Sequence, residues 1–225
     1  MSDKLNEIFD ELRSVVVGGR NVVDIVVPPV LFFVLAGALD FTYAVWGALS
    51  LAVVIIGWRL ARRQSAVSAA GGLLGVLLAI LLAKILDREE GFFLPGIVTG
   101  IGTTLLAAAS ILAGRPMVAW TSHLARRWPR SWYWHPRVRP AYTEVTWFWL
   151  VYFLLRVILQ LNLFQEQQAA QLAGFNLLLG WPATLLLLIV SYLYGTWRLR
   201  QLAGRSVDEF IHQVDPPWQS QQRGF

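Results

Sequence analysis

Residues 92–113 read FFLPGIVTGIGTTLLAAASILA, and residues 114–140 read GRPMVAWTSHLARRWPRSWYWHPRVRP. The first stretch has no charged side chain and exceeds the roughly 20 apolar residues that a helix needs to cross a hydrocarbon core. The second interleaves Arg115, Arg126, Arg127, Arg130, Arg137 and Arg139 with tryptophans. Short basic loops stay on the cytoplasmic side of a membrane. The junction of the two therefore predicts a helix that crosses a bilayer and stops at its inner face.

Working outward, the same rule threads the whole chain. Further apolar runs occupy residues 22–39, 41–58, 68–86, 145–163 and 172–196. Arg59, Arg62 and Arg63 stop the second run on the inner side, and Arg198, Arg200 and Arg205 do so after the last. The short acidic loop at residues 87–90 and the turn at 164–171 then fall outside. Every Lys and Arg except Lys84, Arg88 and Arg156 lies on the cytoplasmic side in this threading. The expected architecture is all-α: a polytopic transmembrane helical bundle of about six spans with both termini cytoplasmic. The first run is short and contains Pro28-Pro29, so it reads as a half-span or re-entrant element. Three spans on either side of the outer acidic loop would give halves of opposite topology, with Pro28-Pro29 and Pro95 in corresponding places.

Composition agrees. Of the 225 residues, 56% are hydrophobic and 15% charged, where a soluble domain carries about 25% charged residues. The mean hydropathy is +0.53. The net charge of +5 would suggest nucleic acid in a soluble protein, but the positive-inside rule accounts for it and no nucleic acid is expected. The absence of cysteine excludes disulfides, thiolate metal sites and thiol chemistry. Residues 1–18 are acidic and lack an apolar core and a cleavage site, so they do not read as a signal peptide.

The chain divides into three parts. Residues 1–19 place Leu5, Ile8, Phe9, Leu12 and Val16 at helical spacing and predict an amphipathic interfacial helix. Residues 20–198 are the transmembrane bundle with its cytoplasmic Arg/Trp-rich loop at 114–140. Residues 199–225 are a cytoplasmic tail. In it, Ser206 and Glu209 have the spacing of a capping box that opens a short helix with Val207, Phe210, Ile211 and Val214 on one face. The last residues read as solvated.

Two groups of residues are candidates for function. Arg156 falls past the middle of the fifth span, where an arginine costs about 2.5 to 3.5 kcal/mol on insertion scales. Gln160 follows one turn on, Asn176 lies at similar depth in the next span, and Pro182 cannot bond the Leu178 carbonyl. A polar intramembrane site is one reading, with Asp24 as a further acidic candidate. The other is that Arg156 snorkels toward Asp87, Glu89 or Glu90, and that Asp24 caps its helix beside Arg20. The second group is Arg115, Trp120, Arg126, Arg127, Trp128, Trp132 and Trp134, a surface suited to anionic lipid headgroups. Met117, Trp120, Leu124 and Trp128 would share one helical stripe. A membrane or cytoplasmic protein partner is the alternative occupant.

No catalytic residues, cofactor site or metal site can be read from the sequence. His123, His135 and His212 lack ligand spacing, and Ser110 and Ser191 have no base in pattern. Gly71, Gly72 and Gly75 open an apolar helix rather than a phosphate loop. Small residues at Ala69, Gly72 and Gly75, and at Gly96, Gly100, Thr103 and Thr104, predict close helix packing instead. The chain therefore does not read as an enzyme.

Certain motifs carry a resemblance: Phe92-Phe93-Leu94-Pro95-Gly96 after the acidic loop, Gly114-Arg115-Pro116, Thr146-Trp147-Phe148-Trp149 with Arg156, and Gly180-Trp181-Pro182. Over about residues 15–198 the chain resembles the bacterial membrane family called domain of unknown function 3159. A proline followed by Leu31-Phe32-Phe33, the basic stop at 59–63, Leu86-Asp87 and the aromatic fifth span are more distantly similar to the intracellular septation protein A family. The resemblance implies an integral protein of the bacterial cytoplasmic (inner) membrane, an accessory or interaction component in envelope maintenance or septation. It brings no catalytic residue or substrate. The competing expectation is a small secondary transporter or channel with its polar site around Arg156.

Overall fold

The structure, a computed structural model, describes residues 66–222, 224 and 225, together with Gly47, Ser50, Val53, Val54 and Gly57, which are helical. The expected interfacial helix, the first apolar run, most of the second, and Asp24 lie outside the described residues. Among the described residues every regular element is helical and none is a strand. In order they are α1 (Ala66–Leu86), a 3-10 turn (Glu89–Phe93), α2 (Leu94–Leu112), α3 (Met117–Arg126), α4 (Arg130–Tyr133), α5 (Arg139–Gln165), α6 (Ala169–Leu179), α7 (Trp181–Gln201) and α8 (Val207–Ile211). Among the described residues, three helical stretches are long and apolar enough to cross a membrane: Glu89–Leu112, Arg139–Gln165 and Ala169–Gln201.

Two of the expected runs change shape. The fifth begins at Arg139, well ahead of Val145, because Pro140 sits in the first turn, where a missing amide hydrogen costs nothing. The sixth is interrupted: α6 ends at Leu179, Gly180 leaves helical geometry with ψ −108°, and α7 starts at Trp181. Pro182 again lies in a first turn, so the break is a helix end at Gly180 rather than one lost bond at the Leu178 carbonyl. A Cβ at Gly180 would run into the Asn176 carbonyl oxygen.

The contacts divide the chain into two compact units, Met1–Val98 with Leu159–Ala183 and Thr99–Ile158 with Thr184–Phe225. In the first, the 3-10 turn packs on α1 and touches α6. Its approach is backbone to backbone, since a Cβ at Gly91 would stand 2.8 Å from Ala83 Cα and 3.0 Å from Leu82 O. Ala79, Glu90, Ile97, Leu172 and Ala173 are buried here. Of the small residues singled out from the sequence, Gly75 and Gly96 stand open to the described residues: a Cβ at either would meet none of them within 4 Å. Thr103 and Thr104 turn their hydroxyls back onto the Thr99 and Gly100 carbonyls of their own helix.

The second unit has a core of its own, made of Ala119, Trp132, Tyr133, Val138, Ala141, Tyr142, Leu199 and Val207. Val118, Trp128, Trp134, Leu202, Phe210 and Phe225 pack around it. These residues come from α3, α4, the start of α5, the end of α7, α8 and the last residues of the chain. The Arg/Trp-rich segment is thus a folded cap rather than a loop.

Candidate lipid and partner surface

The cap begins where α2 ends. A helix opening on Pro116 leaves its first amides without partners inside the helix. Ser110 of α2 accepts the Met117 amide at 2.9 Å, and Thr146 of α5 accepts the Val118 amide at 3.3 Å. Two hydroxyls from apolar helices therefore fix α3. At its far end Arg127 takes a left-handed conformation, φ 57°, and its amide donates to the His123 carbonyl. That turn removes Trp128 from the stripe expected with Met117, Trp120 and Leu124. Trp128 instead meets Trp132 edge to face at 5.4 Å.

Trp132 is fully buried, and its Nε1 donates to the Arg205 carbonyl at 2.8 Å. It belongs to the core and presents nothing to a membrane or partner. Tyr133 bonds Ser122 at 3.1 Å. Burial pushes the Tyr133 phenol up from its ordinary value, with the Ser122 bond and the Arg126 charge opposing.

The remaining members stay near the surface. Arg130 lies 5.4 Å over the Trp120 ring and Arg126 5.1 Å over the Trp128 ring, contacts in which the indole face stabilises the cation. Trp120 and Trp134 meet at 5.7 Å, both half-buried. His123 joins them: its Nδ1 donates to the Trp128 carbonyl at 2.7 Å, which leaves Nε2 to accept from Arg130 at 3.0 Å. Arg115, Arg127, Arg130, Arg139 and Arg200 are exposed. So are Leu112 (88%), Leu124 (74%), Trp147 (50%) and Trp197 (51%). Trp147 and Trp197 are not among the surface candidates of the sequence, because they stand within or beside apolar runs, where an outward face cannot be told from an inward one. Between Glu90 and Glu144 the sequence has no carboxylate, so the arginines of α3 and α4 have no acidic neighbour in their own segment.

Glu144 was also missed. Arg198 grips it with Nε and Nη2 at 2.8 and 2.9 Å, and Tyr194 donates to it at 2.8 Å. A forked pair of this kind fixes α5 against α7 in direction as well as distance. Further along the same two helices, Trp149 donates to Ser191 at 3.1 Å, and Tyr152 and Thr184 share a bond at 3.1 Å. Such bonds average about 0.6 kcal/mol inside membranes, so they set register more than stability.

Of the intramembrane candidates, Gln160 and Asn176 come together within the first unit. Gln160 Nε2 donates to Asn176 Oδ1 at 2.6 Å, and Asn176 Nδ2 donates to the Leu172 carbonyl at 2.9 Å. Arg156 is half-buried on α5. Among the described residues no three His, Asp or Glu side chains gather as a metal site would need.

The tail, expected to be solvated, folds back. The capping box forms, with Ser206 Oγ accepting the Glu209 amide at 3.2 Å and Glu209 accepting the Ser206 amide at 2.7 Å. Val207 is buried and Phe210 half-buried, whereas Ile211 and Val214 are exposed. Phe225 stacks on Tyr142 at 4.3 Å and lies against Gly195, and its carbonyl accepts from Arg126 at 3.1 Å.

The family described as a protein of unknown function, DUF3159, matches residues 17–201, and the chain belongs to it. No curated protein and no solved structure matches the chain.

Proposed function

We propose that the chain is a multi-pass protein of the bacterial cytoplasmic membrane, with about six spans and both termini inside, whose cap binds anionic lipid headgroups. The cap would serve an accessory role in envelope maintenance or septation, as a lipid-sensing surface on which a membrane or cytoplasmic protein can dock. It would carry out no catalysis of its own. The observation that carries this reading is the pairing of exposed arginines with exposed apolar side chains on one packed unit. Arg115, Arg127 and Arg130 stand with Leu112, Leu124, Trp147 and Trp197, the mixture that favours a headgroup boundary.

The test uses the purified full chain in nanodiscs of phosphatidylcholine with and without phosphatidylglycerol. The anionic lipid should raise the thermal midpoint, and the combined R115Q, R126Q, R127Q and R130Q substitutions should remove that rise. A rise that survives them would refute the surface. Because the chain has no native cysteine, a single cysteine at the exposed Ser131 reports topology, and labelling from the periplasmic side would overturn the orientation. Solute flux in liposomes that Arg156→Ala abolishes would move the conclusion to a small transporter or channel.

A further inference from the structure

Trp218 lies outside the aromatic core of the cap and yet gathers three basic side chains. The guanidinium carbons of Arg137 and Arg205 stand 5.3 and 4.8 Å from the centre of its ring, and the His135 ring meets it edge to face at 6.4 Å. Each cation gains from the indole face, but two guanidinium groups on one ring also repel each other. The Arg137 side chain and the Arg205 backbone are each fixed by a bond. Arg137 Nη1 donates to the Ala203 carbonyl at 3.4 Å, and the Arg205 carbonyl accepts from the buried Trp132 at 2.8 Å.

Glu209 is a carboxylate that feels the Arg205 charge, and its oxygens are committed elsewhere. Its two oxygens accept the Ser206 and Gln219 amides, each at 2.7 Å. Arg205 Nε is buried and has no hydrogen-bond partner among the described residues. Since His135 Nδ1 accepts the Arg137 amide at 3.3 Å, its ring hydrogen sits on Nε2 and is a third kind of donor.

We propose that Arg137, Arg205 and His135, gathered on Trp218, form a binding site for a phosphate-type oxyanion, carried by a lipid headgroup or free in solution. Guanidinium forks match such oxygens in geometry and charge, and Arg205 Nε has a donor to offer. The site goes beyond the lipid-facing surface proposed above, because it is discrete and saturable and uses none of the residues replaced in that test.

His135 provides the readout. Burial and the charges of Arg205 and Arg137 hold its imidazole below the ordinary value. A bound oxyanion offsets those charges, so filling the site raises the pH at which His135 titrates. The full chain in detergent, labelled with 13C-histidine, is titrated with inorganic phosphate and separately with short-chain phosphatidic acid. His135→Gln identifies the signal among the three histidines.

A saturable rise with either probe supports the site. A response to phosphate assigns a free anion, and a response confined to phosphatidic acid assigns a headgroup. Arg137→Gln and Arg205→Gln should each weaken half-saturation about tenfold. Arg137 is exposed and its replacement should fold, while Arg205→Lys covers the chance that Arg205→Gln does not. No rise with either probe, or a rise unaffected by Arg137→Gln, overturns the proposal. Anionic-lipid stabilisation in nanodiscs would be untouched by that failure.

Discussion

The two units are held together by opposite means. In the second, large rings fill the interior: Trp132, Tyr133 and Tyr142 are all within 1% of full burial. In the first, backbone meets backbone where Gly91 lies on Ala83. The difference follows from the residues each has to pack. Large rings gain by burying aromatic area against one another. A turn that lies directly on a helix needs a residue without a Cβ at the point of approach. Substitutions should therefore act by size in opposite directions: shrinking a ring damages the cap, and enlarging a glycine damages the other unit.

The largest expected effect is Trp132→Ala. Truncating a buried ring of this size costs about 3 to 5 kcal/mol, and the Arg205 carbonyl loses its donor as well. Limited proteolysis should open residues 114–140 and 199–225 while the apolar helices stay protected. Equal resistance in the variant would break the comparison on the cap side.

Next in size is Gly91→Ala. The added methyl meets backbone atoms that cannot rotate away, and overpacking of this kind costs about 1 to 3 kcal/mol. Gly96→Ala is the control, since its Cβ would meet nothing within 4 Å among the described residues. Thermal midpoints that fall equally for the two would remove the packing argument.

The pair also marks what the sequence made legible. Apolar runs are a local property, so the candidate spans over the runs from residues 92, 145 and 172 could be read, and so could the capping box, whose two residues are three apart. The packing glycine could not. Gly91, Gly75 and Gly96 look alike in the chain, and only the path of a neighbouring helix decides which of them needs to be small. The cap was illegible for a related reason. Tryptophan and tyrosine suit a headgroup boundary and a core equally well. Trp132 is buried by Leu199 and Val207, residues far along the chain that no periodicity connects to it. Glu144 drew no notice in the sequence, because Arg198 and Tyr194 reach it from another helix some fifty residues along the chain. The break at Gly180 was half visible: Pro182 signalled trouble, but it placed the lost carbonyl rather than the helix end.

A smaller effect is expected at the edge of the cap. Ser206→Ala removes the hydroxyl that accepts the Glu209 amide, a loss of about 1 kcal/mol at an N-cap. Hydrogen exchange at α8 should quicken while exchange at Trp132 does not. If both quicken together, the cap is a single cooperative body and the edge has no independence.

The smallest effect is one of pH, and its sign separates the edge from the core. Burial pushes the Glu209 carboxyl up, but the amides of Gln219 and Ser206, the Ser206 hydroxyl and the Arg205 charge outweigh it and leave the group below its ordinary value. A depressed folded value means that its contribution is present above the carboxylate range of the unfolded chain and is lost as pH falls through the folded value. The attachment of residues 218–222 to α8 should thus weaken in acid, because a protonated Glu209 cannot accept both amides. Glu209→Gln should loosen the attachment at neutral pH and flatten that acid dependence, whereas Trp132 burial involves no titrating group and should hold across the same window. Exchange at the Gln219 amide, followed from neutral into acid after correction for intrinsic rates, reads the difference. An acid dependence that persists in Glu209→Gln would place the titrating group elsewhere in the cap.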